Sequence, residues 1–156
     1  MIVAAFTGHR PPKAGLTWNQ NAPGDLKATT AVRWFLRDKE VTSAIVGGAL
    51  GFDQIAAYAC WLEGVPYTVA VPCQGQSARW NENARERYAT MLDLAETVIT
   101  VTDGPYSRGV MQVRNEWMVD RCDVLAAWWN GSPGGTWNCI QYARDHKVPV
   151  VYLYSR

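Results

Sequence analysis

Six short apolar runs, each about the length of a β-strand, alternate along the chain with segments of helical spacing, and this alternation is the feature that most constrains the fold. The runs are IVAAFTG near residue 2, SAIVGG near 43, PYTVAVP near 66, TVITVTD near 97, DVLAAWW near 123 and VPVVYLY near 148. Between the second and third runs, Phe52, Ile55, Ala59 and Leu62 have the spacing of one helix face. Apolar strands that alternate with helices form a parallel sheet covered on both faces. We therefore predict an α/β fold: a doubly wound, mostly parallel sheet of about six strands with helices on both faces.

Length, charge and cysteine spacing exclude several classes of protein. The 156 residues suffice for a single domain spanning residues 1–156. The formal net charge is +1 and the basic residues are scattered, so nucleic acid is not a predicted partner. The four cysteines form no C-x-x-C pair, so we predict reduced thiols and no metal site. The N-terminus lacks the pattern of a signal peptide and no apolar stretch has the length of a membrane span, so we expect a cytoplasmic protein.

The residues that follow the predicted strands are the first candidates for a site, because ligands of open parallel sheets bind beyond the carboxyl ends of the strands. The first run ends in TGHRP, which supplies Thr7, Gly8, His9 and Arg10. Arg10 offers a planar guanidinium suited to phosphate, and His9 could donate a hydrogen bond or exchange a proton. The structural alternative is a histidine that only pairs with the backbone.

The second run leads into GGALGFDQ, where Gly47, Gly48, Ala49 and Gly51 form a predicted turn before a helix. Glycine permits such a turn, and backbone N–H groups at a helix N-terminus can bind an anion. Asp53 lies in the first helical turn, where it either caps the helix or binds a ligand. A carboxylate would repel phosphate, so a sugar hydroxyl is the partner that Asp53 suits better.

The third run is followed by Gln76, Arg79 and Trp80, at the start of a predicted helix. These side chains offer one stacking face and several hydrogen-bond donors; alternatively, they belong to an amphipathic helix with Trp80 in the core. Residues 10–28, RPPKAGLTWNQNAPGDLKA, are rich in Pro, Gly and Asn and are predicted to be one long loop. A loop of this length is either a lid or pocket rim, or flexible surface.

The segment from residue 106 to residue 143 is the densest in candidates. Arg114 and Met118 are four residues apart and share a helix face, which favours a pocket arginine, and Asn115 is adjacent. The fifth run is followed by NGSPGGT, a second glycine turn that opens a helix. Its backbone N–H groups and one hydroxyl form a candidate phosphate cradle, for which the residues are Gly131, Gly134, Gly135 and Thr136. Neither glycine turn matches the Walker or G-x-G-x-x-G pattern, which argues against a kinase or a dehydrogenase.

Five motifs in this order, TGHRP, GGALGFDQ, P-x-x-x-Q-x-x-x-W, MQVRNEWMVDRCD and WNGSPGGT, resemble the YpsA-like branch of the SLOG superfamily, whose Rossmann-like members are related to the lonely guy (LOG) enzymes and to DprA. The resemblance covers nearly the whole chain and is most specific from Met111 to Thr136. It implies a nucleotide-binding domain whose glycine turns hold phosphate. It also leaves a homo-oligomer open, since related Rossmann-like proteins often dimerise.

The resemblance to LOG enzymes implies hydrolysis of a nucleotide N-glycosidic bond, with Arg114 at the position of the LOG arginine. The LOG motif P-G-G-x-G-T-x-x-E is altered here, because one glycine position is missing and Cys139 replaces the glutamate. A thiol is a poor substitute for a carboxylate that stabilises an oxocarbenium-like transition state. The catalytic candidates that remain are Arg114, Glu116 and Asp120, with Asp53 as a further carboxylate.

The sequence therefore leaves three hypotheses for the function. The leading one is a protein that binds a mononucleotide, an ADP-ribose-like compound or a cyclic signalling nucleotide as a sensor or sequestering protein. The second is a LOG-like N-glycosidic hydrolase. The third is DprA-like binding of single-stranded DNA, against which the near-zero net charge argues. No cofactor and no membrane partner is predicted.

Overall fold

The computed structural model describes residues 1–155, and it contains one six-stranded sheet with five α-helices. The strands β1 to β6 are Val3–Gly8, Ser43–Val46, Tyr67–Val71, Thr97–Thr100, Val124–Trp128 and Val150–Tyr152. The helices α1 to α5 are Pro23–Asp38, Phe52–Leu62, Glu82–Leu94, Val110–Val119 and Gly135–Asp145. None of these helices is both long enough and apolar enough to traverse a lipid bilayer.

All strand pairs are parallel, and the strand order is β4-β3-β2-β1-β5-β6. Adjacent residues of β1 point to opposite faces of the sheet. Phe6 packs with α1 and α2 on one face, whereas Ala5 packs with Met118 and Ile140 of α4 and α5 on the other. The prediction of a doubly wound parallel sheet with helices on both faces is confirmed.

The chain changes direction in the sheet at β1. After β1 it runs outward through β2, β3 and β4, then returns to place β5 on the other side of β1. Such a topological switch point opens a crevice between the loops that follow the two central strands. The loops after β1 and β5 therefore flank the place where this fold offers room for a ligand.

The prediction of one irregular loop over residues 10–28 is wrong for residues 13–15 and for residues 23–28. A short 3₁₀ helix occupies Lys13–Gly15, and α1 begins at Pro23. Proline is well suited to the first helical turn because its φ is helical and the N–H that it lacks has no partner there. The buried carboxylate of Asp25 accepts hydrogen bonds from the Thr17 backbone N–H and hydroxyl, at 3.1 and 2.8 Å, and so fastens the remaining loop to α1.

Candidate functional site

A cavity of about 380 Å³ lies at the switch point, and we call it the switch-point cavity. The loop after β1, the start of α2, one face of α4 and the start of α5 contribute its walls. Its lining residues are Phe6, Thr7, Gly8, His9, Arg10, Pro11, Pro12, Lys13, Ala49, Asp53, Met111, Arg114, Asn115, Met118, Gly135 and Thr136. Eleven of these residues are among the candidates named from the sequence, and they come from four separate motifs.

A second cavity, of about 680 Å³, adjoins the first, and we call it the side cavity. Arg10 and Met111 line both cavities. The remaining lining residues of the side cavity come from the segments after β3 and β4 and are Pro72, Cys73, Gln74, Gly75, Gln76, Ala78, Arg79, Trp80, Pro105 and Tyr106. The three candidates after the third strand, Gln76, Arg79 and Trp80, therefore lie beside the switch-point cavity and do not line it.

His9 connects the loops after β1 and β5. Its Nε2 lies 2.9 Å from Asn130 Oδ1, and the Ser132 backbone N–H and hydroxyl both donate to that same oxygen, at 3.0 and 2.6 Å. Burial lowers the pKa of His9, because desolvation disfavours the imidazolium and outweighs the hydrogen bond with Asn130. His9 thus holds the second glycine turn in place as a mainly neutral imidazole at neutral pH.

The first glycine turn is closed by Asp53. Gly51 is the N-cap of α2, and Asp53 Oδ2 reaches back to accept a hydrogen bond from the Ala49 backbone N–H at 3.1 Å. Gly51 has a φ of 88°, and a Cβ there would lie 2.9 Å from the His9 carbonyl oxygen, so only glycine lets the two loops approach this closely. Burial raises the pKa of Asp53, and the positive charge of Arg114 opposes the rise.

Arg114 is 4% exposed and uses most of its guanidinium to join the ends of two strands. Its Nη1 donates to the carbonyl oxygens of Gly47 at 2.5 Å and Ala70 at 3.2 Å, and its Nε donates to Asn115 Oδ1 at 3.0 Å. Nη2 donates no hydrogen bond within residues 1–155. The side chain therefore has a structural role, and within the described part of the chain Nη2 is the one guanidinium nitrogen that remains free to donate to a ligand in the cavity that Arg114 lines.

The start of α5 forms the opposite wall. Gly135 and Thr136 are its first two residues and line the switch-point cavity, which places a helix N-terminus against it. Cys139 lies one turn further on and is 1% exposed. Burial raises the pKa of Cys139 to about 12, despite the opposing effects of Thr7 and Arg114. Its thiol remains protonated and cannot supply the negative charge of the glutamate that it replaces.

Several candidates lie outside both cavities. Within residues 1–155, Gly47, Gly48, Gly51, Gly131 and Gly134 belong to the adjoining turns and line neither cavity. Glu116 and Asp120 also line neither cavity. Glu116 accepts a hydrogen bond from Gln112. Asp120 is the C-cap of α4 and accepts a hydrogen bond from the Tyr142 hydroxyl.

Five residues of the switch-point cavity were not predicted from the sequence: Phe6, Pro11, Pro12, Lys13 and Met111. Tyr106 of the side cavity was not predicted either. The available signal for Pro11, Pro12 and Lys13 was their position, since Pro11 is the last residue of TGHRP and the other two follow it. A further cavity, of about 480 Å³, lies between α2 and α3, but none of the predicted site residues lines it. We therefore restrict the candidate site to the switch-point cavity and the side cavity.

Comparison with known proteins gives relatives in Bacillus and related bacteria. The chain is 34% identical over 119 residues to the uncharacterised SPbeta prophage-derived protein YoqJ of Bacillus subtilis, an alignment that covers 64% of this chain and 68% of YoqJ. It is 28% identical over 164 aligned positions to a UPF0398 protein of Bacillus cereus, covering 99% of this chain and 89% of the relative. These names assign no activity.

Solved structures with the same fold include two with described ligands. DNA processing protein A of Helicobacter pylori, described for its single-stranded DNA binding mode, has a TM-score of 0.71 and 18% identity, and the match covers 99% of this chain and 66% of that protein. The molybdenum cofactor binding protein of Rippkaea orientalis has a TM-score of 0.61 and 16% identity, covering 97% and 75%. Identities this low show a shared fold only. These structures give no support to the prediction that nucleic acid is an unlikely partner.

A family model matches most of the chain. The match to the YspA SLOG family extends over residues 4–147 and thus includes all five motifs that carried the resemblance. The five motifs, the doubly wound sheet and this match agree, and the chain belongs to the YspA SLOG family.

Proposed function

We propose that the protein binds a nucleotide-derived ligand, with the phosphate in the switch-point cavity, and acts as a sensor or sequestering protein. The candidate ligands are a mononucleotide, an ADP-ribose-like compound and a cyclic signalling nucleotide. The observation that supports this most strongly is that Arg10, Lys13 and Arg114 line one cavity together with the start of α5. A helix N-terminus and guanidinium groups are the features that bind phosphate in proteins.

The balance of charge in the cavity favours an anion. Three of its lining residues are Lys or Arg, and Asp53 is its one carboxylate among the lining residues. Asp53 Oδ2 is already occupied by the Ala49 N–H, and burial raises the pKa of this carboxyl group. Repulsion of a bound phosphate by Asp53 is reduced accordingly.

Binding is a better supported function than cleavage of an N-glycosidic bond. Glu116 and Asp120 line neither cavity, and the buried thiol of Cys139 is protonated. Asp53 is the acidic side chain that would have to act on the sugar, yet its hydrogen bond to the glycine turn gives it a structural role. A hydrolase would therefore depend on Asp53 alone.

The test uses Arg10, which is exposed and makes no ion pair within residues 1–155. Its loss should leave stability unchanged, unlike loss of the buried Arg114. We expect Arg10→Ala to weaken nucleotide binding by about 10-fold or more, because one charge-assisted hydrogen bond is lost. Arg144→Ala, at the far end of α5, is the matched control.

Isothermal titration with AMP, ADP-ribose and a cyclic dinucleotide measures the affinities, and mass spectrometry of the same mixtures detects free base. Equal binding by wild type and Arg10→Ala would contradict the proposed site. If the wild type releases free base and Asp53→Asn does not, hydrolysis would replace binding as the proposed function. A single-stranded oligonucleotide belongs in the panel because of the DprA fold neighbours, and saturable binding of it without any nucleotide binding would overturn the proposal.

A further inference from the structure

The side cavity contains a hydrogen-bonding group that has no partner. Gln76 donates through Nε2 to the Tyr88 hydroxyl at 3.1 Å, while its Oε1 is shielded from water and accepts no hydrogen bond within residues 1–155. A buried acceptor without a donor is costly, and native structures rarely retain one. Because Gln76 lines the side cavity, a ligand that supplies a donor there would satisfy this oxygen.

Two aromatic side chains, Trp80 and Tyr106, line the same cavity as this amide. Trp80 packs edge-on against Tyr88, with ring centroids 5.2 Å apart and an interplanar angle of 76°. Tyr106 is 70% exposed and lines the cavity from the segment after β4. An exposed aromatic ring and a polar amide in one cavity are suited to a flat heterocycle, because a face of the heterocycle can stack and its edge can hydrogen-bond.

The two cavities are neighbours that share two lining residues. Arg10 and Met111 line both, so a ligand with its phosphate in the switch-point cavity can extend past Arg10 into the side cavity. The cavity volume of about 680 Å³ is larger than the volume that one base occupies. Access to Oε1 requires the amide of Gln76 to turn about its terminal torsion, which is soft in glutamine.

We propose that the side cavity binds the base of the nucleotide and that Gln76 Oε1 selects bases that carry an amino group on their hydrogen-bonding edge, such as adenine. This selection rests on the proposed function, since it requires the phosphate to occupy the switch-point cavity. A site that hydrogen-bonds a substrate N–H group rejects the analogue that lacks it more strongly than an apolar pocket rejects a change in size.

The experiment compares three ligands by isothermal titration. AMP and purine riboside 5′-monophosphate differ only in the amino group, and ribose 5-phosphate has no base. We expect wild-type protein to bind AMP more tightly than purine riboside 5′-monophosphate, by about 10-fold or more. Gln76→Leu should reduce the affinity for AMP to that for purine riboside 5′-monophosphate and leave the affinity for purine riboside 5′-monophosphate unchanged.

The matched control is Gln141→Leu, because Gln141 is an exposed glutamine of α5 that lines neither cavity. It should preserve the preference for AMP. Thermal unfolding of each variant shows whether the fold is intact, and unchanged binding of ribose 5-phosphate shows whether the phosphate site is intact.

The outcomes separate the two proposals. If AMP and purine riboside 5′-monophosphate bind the wild type equally, the selection by Gln76 is overturned while the phosphate site stands. The same holds if Gln76→Leu keeps the preference, or if the analogue without the amino group binds more tightly. If no ligand binds the wild type, both proposals fall together.

Discussion

At the scale of single residues, Gly47 is the residue of the first glycine turn whose carbonyl oxygen accepts a hydrogen bond from the buried Arg114. A Cβ at Gly47 would lie 2.5 Å from Arg114 Nη1 and 2.8 Å from Asp53 Oδ2. Neither neighbour can yield easily, because both are buried and hydrogen-bonded. The absence of a side chain at this position is therefore required by close packing and not by a turn.

We accordingly expect Gly47→Ala to lower the free energy of unfolding by about 1–3 kcal/mol, the usual cost of overpacking a buried site. Urea unfolding followed by circular dichroism measures the change. Gly135→Ala is the control, because a Cβ there has no atom within 4 Å and its φ lies outside the left-handed region. Gly47→Ala as stable as wild type would show that Arg114 and Asp53 are less firmly held than the structure indicates.

At the scale of secondary-structure elements, α3 depends on the residue that immediately precedes it. Asn81 is the N-cap, and its Oδ1 accepts a hydrogen bond from the Ala84 backbone N–H at 2.8 Å. The helix follows the segment that contains Gln76, Arg79 and Trp80, and its Tyr88 binds the Gln76 amide. The start of α3 thus positions one wall of the side cavity.

Asn81→Ala should destabilise the protein by about 0.5–2 kcal/mol, because an N–H group of the first helical turn loses its acceptor. Asn83→Ala is the matched control, since Asn83 is exposed, lies two residues further on and makes no cap. Urea unfolding of the two variants gives the comparison. Equal effects would contradict the capping role.

At the scale of the whole molecule, a cysteine thiol is buried on each face of the sheet. Cys60, a residue of α2, is buried in the core on the α1 and α2 side of the sheet, and Cys139, a residue of α5, is buried in the core on the α4 and α5 side. Burial raises the pKa of each thiol to about 12. Reaction of a thiol requires the thiolate and access to it. Modification of these two residues should therefore report opening of the two cores.

We expect Cys60 and Cys139 to resist 5,5′-dithiobis(2-nitrobenzoic acid) in the native protein and to react in concentrated urea. Of Cys60, Cys122 and Cys139, the half-buried Cys122 should react first, although burial raises its pKa to about 11. Peptide mass mapping after timed labelling identifies the order. Rapid native labelling of Cys139 would contradict its burial and would reopen a chemical role for its thiol.

The sequence by itself determined the fold class and the family. Six apolar runs separated by helical segments suffice to predict a doubly wound parallel sheet, because burial on both faces leaves few other arrangements. The five motifs likewise predicted the family to which the chain belongs. Strand propensity and hydrophobic periodicity are local properties, and they can be read from neighbouring residues.

Only the tertiary structure decided what the candidate residues do. Arg114 has the spacing of a pocket arginine, but its partners are carbonyl groups 67 and 44 residues away. His9 meets Asn130 across 121 residues. Glu116 shares α4 with Arg114 and Asp120 is the C-cap of that helix, yet both residues lie outside both cavities. Hydrogen bonds of this kind form between strand ends that the topology brings together, so a local pattern can name the residues near a site but cannot assign their partners.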